Sequence, residues 1–168
     1  MPLFHVFFGL SGRIRRRDYW LYSILIMAGA FTVNYAAFRV WGHGPGYIKG
    51  LKLAEAQSLG PFLLTVYIVN MLGALLRLPV SIKRWHDRNR PAWIAFLLAG
   101  YWLSMQGVAI IFHVTDIRHA PLAYNVLSWI GVPLSLWTLI ECGILDGTKG
   151  PNPYGPSPKT PVAQAEVF

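Results

Sequence analysis

Four long apolar runs, separated by short polar stretches, divide the chain into candidate membrane-spanning helices. They lie at about residues 19–40, 61–82, 92–112 and 122–145, and each reaches the ~20 residues that a helix needs to cross ~30 Å of hydrocarbon. Tyr19, Trp20 and Tyr22 at one end of the first run and Trp41 at the other suit the two interfaces, where amphipathic rings sit best. The second run is apolar except for Asn70 and Arg77. The third carries Gly100, Ser104 and Gly107, a small-residue spacing that lets helices approach closely. The fourth holds Gly131 and Pro133 in mid-span, where a kink is tolerated. An earlier apolar stretch, with Phe4, Phe7, Phe8 and Leu10, is too short to span and reads as an interfacial segment. The expected fold is therefore all-α: an integral membrane bundle of four transmembrane helices over residues 1–158, with a Pro/Gly-rich cytoplasmic tail that is disordered over 159–168.

The polar stretches refine this picture. Residues 41–60 begin as a glycine-rich loop and continue either as a short amphipathic surface helix or as a solvated loop. Residues 81–91, S-I-K-R-W-H-D-R-N-R-P, form a charged knot between two spans, with Pro91 placed for the first turn of the third helix. If the second helix runs past the bilayer, Arg77, Arg84 and Arg88 share a face as a basic stripe at headgroup level, and Lys83 meets Asp87 at i, i+4. Residues 113–121 make a polar turn, and the tail from Asp146 is too rich in proline and glycine for helix or ladder.

Composition agrees with a membrane protein, at 54% apolar residues, and the formal charge of +8 raises the question of partners. The basic residues flank apolar runs, which points to the lipid bilayer and anionic phospholipid headgroups, with a homo-oligomer or another membrane protein as the protein partners to consider, and away from nucleic acid. Arg13, Arg15, Arg16, Arg17, Lys83, Arg84, Arg88, Arg90, Lys149 and Lys159 fall on the side of both termini, against Arg39, Lys49, Lys52 and Arg118 on the other, so both termini are expected in the cytoplasm. The R-I-R-R-R run before Leu21 imitates a secretory signal, but the apolar run continues past Ala30 to spanning length and favours a retained helix. The single cysteine, Cys142, lies within an apolar run and reads as a packing residue.

Chemistry is sparse. Arg77 and Glu141 lie within spans at similar depth and are expected to pair there, since either would be costly facing lipid. His86-Asp87 lacks the further ligands that a metal needs on that side, where His5 is the other histidine. There is no G-x-S-x-G, H-E-x-x-H, C-x-x-C or phosphate-binding glycine loop, so neither an enzyme of a familiar type nor a metal or cofactor is expected.

Three motifs together, G-R-I-R-R-R-D-Y-W (Gly12 to Trp20), K-R-W-H-D (Lys83 to Asp87) and G-P-N-P-Y-G-P (Gly150 to Pro156), resemble the domain-of-unknown-function 805 family of small bacterial inner-membrane proteins. Arg15 stands where that pattern usually has a helix-capping serine. The resemblance implies a multi-pass protein of the bacterial inner membrane without an established activity. All three motifs fall on the expected cytoplasmic face, where Asp18, Asp87 and Asp146 can answer Arg13, Arg16, Arg84 and Arg88, with His86 alongside and Asn152 and Tyr154 of the tail folded over as a cap. The reading that follows is a non-enzymatic interaction or membrane-organising module whose basic cytoplasmic face contacts anionic lipid or a partner protein. The alternative is a small transporter or channel component using Arg77, Glu141 and Asn70; a membrane-embedded enzyme built on His86 and Asp87 comes third.

Overall fold

A short helix, α1 (Leu3–Phe8), leads into α2 (Arg16–Trp41), α3 (Gly60–Asp87), α4 (Trp93–Thr115) and α5 (Ala120–Thr138), the last continued by a π-helical turn, Leu139–Ile144. The computed structural model describes residues 3–41, 60–115 and 120–159, and among these there is no strand. Three helices are long and apolar enough to cross a membrane, over Arg16–Val40, Pro61–Asp87 and Tyr124–Ile144, and α4 is apolar over Trp93–Val108. Their large apolar side chains point outward: Phe31 is 71% and Trp129 76% exposed. A soluble monomer rarely shows contiguous apolar surface on this scale, whereas lipid accepts it at no cost. The chain is a membrane protein.

α3 is the helix on which the others pack, touching α1, α2, α4 and the π turn. It runs antiparallel to α2: Phe38 meets Phe62 edge-on at 6.3 Å at one end, while Arg13 meets Asp87 at the other. The interior follows an unusual distribution. The buried cluster of Val6, Ile14, Tyr19, Val80, Ile82, Trp85, Ile94, Ala95 and Cys142 gathers at the Asp87 end, where α1 and the start of α2 close around the last turns of α3. Trp85, fully buried, lies 5.0 Å from the Trp137 ring of α5.

The charged knot is helical through Asp87, the case in which the second helix runs on past its apolar span. α3 continues through Pro79 and the knot to Asp87, five residues beyond the expected end at 82, and the chain reverses only over 88–92. Its end is a Schellman motif: Asn89 takes the left-handed conformation (φ 57°), Arg90 N donates to Trp85 O at 2.9 Å and Asn89 N to His86 O at 2.9 Å. Pro91 follows directly, just before α4 starts at Trp93.

The expected close-approach residues do not serve as such. A Cβ on Gly100 or Gly107 would meet nothing within 4 Å, because those faces of α4 point away from the bundle. The tight contacts fall at Gly131, against the Tyr101 hydroxyl, and at Gly143, against the Trp20 ring. α5 passes through Pro133 without ending. Residues 42–59, 116–119 and 160–168, which include the expected surface helix, the centre of the second turn and most of the expected disordered segment, lie outside the described residues.

Candidate functional site

Every helix ends with carbonyls that have no partner within the helix, and its C-terminus carries about half a negative charge. Here three such ends, those of α1, α3 and the α5 π turn, meet at one pole of the molecule. Arg16, Lys83 and Arg84 of the sequence motifs, together with Arg88, are spent on them.

At the end of the π turn five successive carbonyls are each met by a side chain from α2, α3 or the residue that follows α3. Arg84 donates through Nε to Cys142 O at 2.7 Å and through Nη2 to Leu145 O. Trp20 Nε1 donates to Gly143 O at 3.0 Å, Arg16 Nη1 to Ile144 O at 2.5 Å, and Arg88 Nη1 to Asp146 O. Lys83 caps α1, its Nζ donating to His5 O and, at 2.8 Å, to Val6 O. Lys83 therefore faces away from Asp87 and the expected i, i+4 contact is absent, because α1 lies against that side of α3.

Asp87 ties the ends together. Its Oδ1 accepts from Arg13 Nε at 3.0 Å and its Oδ2 from Arg84 Nη1, with the three side chains 1–3% exposed. The remaining donors of Arg13 reach into the tail: Nη1 to Gly150 O at 2.8 Å and Gly155 O at 3.2 Å, Nη2 to Thr148 O at 2.6 Å and Thr148 Oγ1 at 3.2 Å. All five N–H bonds of one guanidinium are thus used, an arrangement that its planar fork permits and an ammonium does not.

The tail is a strap held by backbone geometry. Asn152 and Gly155 exchange hydrogen bonds at 3.1 and 2.9 Å around a turn with Pro153 in its second position, and Asn152 Oδ1 accepts from Tyr154 N at 2.9 Å. Thr148 N donates to Asp87 O at 2.8 Å and Asn152 Nδ2 to His86 O at 2.9 Å, which caps the end of α3. The Tyr154 ring stacks on His86 at 3.9 Å and 5°, and His86 Nδ1 lies 3.2 Å from Gly12 O, so each of the three motifs touches the other two. Gly147 passes so close that a Cβ there would overlap the Asp87 carboxylate.

Of the residues singled out by sequence, Arg13, Arg84, His86, Asp87, Asn152 and Tyr154 form this junction, and Arg16, Arg88 and Asp146 border it, with Arg16 Nη2 at 3.6 Å from Asp146 Oδ1. Asp18 stands apart, facing Arg17 at 3.4 Å. Glu141 pairs with Arg88 at 3.0 Å and Arg90 at 3.7 Å instead of Arg77, and no carboxylate lies within 4.0 Å of Arg77 among the described residues. Depth along the helices pointed to Arg77, but α3 extends far enough to bring Arg88 level with the π turn. Asn70 bonds its own helix, Nδ2 to Val66 O at 2.8 Å, so the three residues of the transporter alternative do not converge. The expected basic stripe is likewise internal at Arg84, which is fully buried. Lys83, Thr148, Gly147 and Trp20 went unnoticed in the sequence as members of the junction; the D-G-T step after the last apolar run was the available signal. Among the described residues no three His, Cys, Asp or Glu side chains gather as a metal site.

The family model described as "Protein of unknown function (DUF805)" matches residues 7–156, an interval that contains all three motifs. The chain is also similar to "Uncharacterized protein YiiR" of Escherichia coli strain K12 and of Escherichia coli O157:H7, in each case 28% identical over 149 residues, covering 88% of this chain and 84% of the relative. No solved structure matches.

Proposed function

The chain belongs to the family described as protein of unknown function (DUF805), and from that premise we propose that it is a four-span, non-enzymatic protein of the bacterial inner membrane that organises anionic lipid, or a partner presenting similar charge, at its cytoplasmic face. The observation that supports this is a division among the cations. Arg13, Lys83 and Arg84 are buried and paired, while Arg15, Arg16, Arg17, Arg90, Lys149 and Lys159 remain exposed around the same pole. The first group holds helix ends and the strap; the second keeps its charge exposed to headgroups even where it also meets a protein group, as Arg16 does at Ile144 O, Arg90 at Glu141 and Lys159 at Asp146, at about 1 kcal/mol per residue near an anionic leaflet. α4 acts in this reading as the fourth span, which places both termini on the side richer in Lys and Arg.

Two measurements test the proposal. A reporter that matures only in the cytoplasm should be active when fused at the C-terminus and silent within residues 42–59. In nanodiscs of mixed phosphatidylglycerol and phosphatidylcholine, the protein should retain the anionic lipid preferentially, and this preference should weaken with salt and with combined Arg17→Gln, Arg90→Gln and Lys149→Gln. Retention independent of these charges would remove the lipid role.

A further inference from the structure

A cleft of about 250 Å³ opens beside the junction, where α1, the start of α2 and the end of the strap meet. Its floor is apolar: Val6 and Ile14 are buried, and the Tyr22 ring packs edge-on against Phe7 at 5.5 Å. Arg13 lines the cleft too, with its donors spent on Asp87 and the strap, and the rim adds one cation and one anion that the fold leaves largely unused. Arg15 spends Nε on Pro158 O at 2.5 Å, and its two terminal amino groups have no partner among the described residues. Asp18 meets Arg17 through Oδ1 at a long 3.4 Å, and its Oδ2 is unpaired. Arg15 accepts the first hydrogen bond of α2, from Tyr19 N at 2.9 Å, so Arg15 and Asp18 stand one turn apart. Residues at that spacing have Cβ atoms about 5–6 Å from each other.

We propose that this cleft binds the phosphoethanolamine headgroup of a bilayer phospholipid, with the phosphate on Arg15 and the ammonium on Asp18. A planar guanidinium with two free amino groups suits a phosphodiester, and a carboxylate oxygen one turn away suits a primary ammonium, which donates hydrogen bonds where a quaternary one does not. The Tyr22 hydroxyl, without a partner among the described residues, stands ready as a further donor or acceptor. The volume is below the ~300–1,000 Å³ of sites for whole drug-sized ligands, so it holds a headgroup and leaves the acyl chains outside. Those chains have a place to go. Phe4, Phe8 and Leu10, 74%, 66% and 49% exposed, belong to or closely follow α1, the helix that supplies Val6 to the cleft, and offer them apolar surface. This site shares Arg15 with the diffuse attraction of the exposed cations for anionic lipid but goes beyond it, because it discriminates between two lipids of the same net charge.

The test uses the full chain in nanodiscs of equal phosphatidylethanolamine and phosphatidylcholine, with retained lipid counted by native mass spectrometry after transfer to detergent. The wild type should retain the ethanolamine lipid over the choline lipid by about tenfold, the lower end of what one charge-assisted hydrogen bond contributes. Asp18→Asn should bring the ratio near one, Arg15→Gln should lower retention of both, and Arg39→Gln, at the far end of α2 beside Tyr35, should keep the ratio. Arg15 and Asp18 take no part in the Arg13–Asp87 pairing, and an unchanged thermal midpoint confirms that the variants fold. A wild-type ratio near one, or an unchanged ratio in Asp18→Asn, overturns the proposal. Saturation by soluble phosphoethanolamine with no lipid retained overturns the assignment to a lipid. Loss of phosphatidylglycerol preference alone would leave this site standing.

Discussion

Replacing Asp87 with asparagine keeps the shape of the side chain and removes the carboxylate that answers Arg13 and Arg84 together. At an effective dielectric of 20, each ion pair near 4 Å is worth about 4 kcal/mol before desolvation, and two guanidinium groups at 1% side-chain exposure are left with no carboxylate between them. Part of this loss is offset, because Arg13 keeps the carbonyls of Thr148, Gly150 and Gly155 and Arg84 keeps those of Cys142 and Leu145. The expected cost is therefore that of breaking a buried pair, about 3–5 kcal/mol. Reversible unfolding in mixed micelles, followed by tryptophan fluorescence, measures it. Arg13→Gln in the Asp87→Asn background should cost much less than in the wild type, a coupling of about 1–3 kcal/mol. A loss below about 1 kcal/mol for Asp87→Asn, or additivity of the two changes within about 0.5 kcal/mol, would refute the reasoning.

Other consequences follow from the same geometry. Gly147→Ala drives a methyl into the Asp87 carboxylate and should cost about 1–3 kcal/mol, with faster trypsin cleavage after Lys149 as the strap lifts. Tyr154→Ala removes the stack on His86 and should loosen the strap by about 0.5–1.5 kcal/mol, read by the same cleavage rate. Asp146 is held below the ordinary aspartate range, first by the hydrogen bond from Lys159 and then by the charge of Arg16. Since its folded value is depressed, its contribution is present above the ordinary value of about 3.9 and is lost as pH falls through the lowered one. In Lys159→Gln its carboxyl resonance should titrate closer to the ordinary value.

The helices were legible because lipid imposes length: about 20 apolar residues per crossing, with aromatic residues at the interfaces, is a constraint that any spanning run must meet. The meeting of the three motifs was legible too, since arginines and aspartates flanking the same ends of antiparallel helices have few other places to go. What the residues did not disclose was the identity of most partners. Arg84, Arg16, Arg88, Trp20 and Lys83 bond backbone carbonyls of α1 and the π turn, and a carbonyl has no sequence signature. The pairing of Glu141 failed for a related reason. Spacing along a helix gives depth, which pointed to Arg77, but the pairing depends on how the end of α3 sits against the π turn, and the spacing carries no sign that this brings Arg88 to Glu141. Burial explains the continuation: once α1 and the strap cover these turns, the charges are solvated by helix ends in place of water.

The three motifs meet only if the strap is docked, and amide hydrogen exchange in nanodiscs tests that most directly. The amides of Thr148, Asn152 and Gly155 donate to Asp87 O, Gly155 O and Asn152 O; in the wild type they should exchange slowly, and in Asp87→Asn their protection should fall sharply. Complete exchange of residues 147–156 at the shortest labelling time in the wild type would contradict it, since the tail would then be free and the three motifs would not meet.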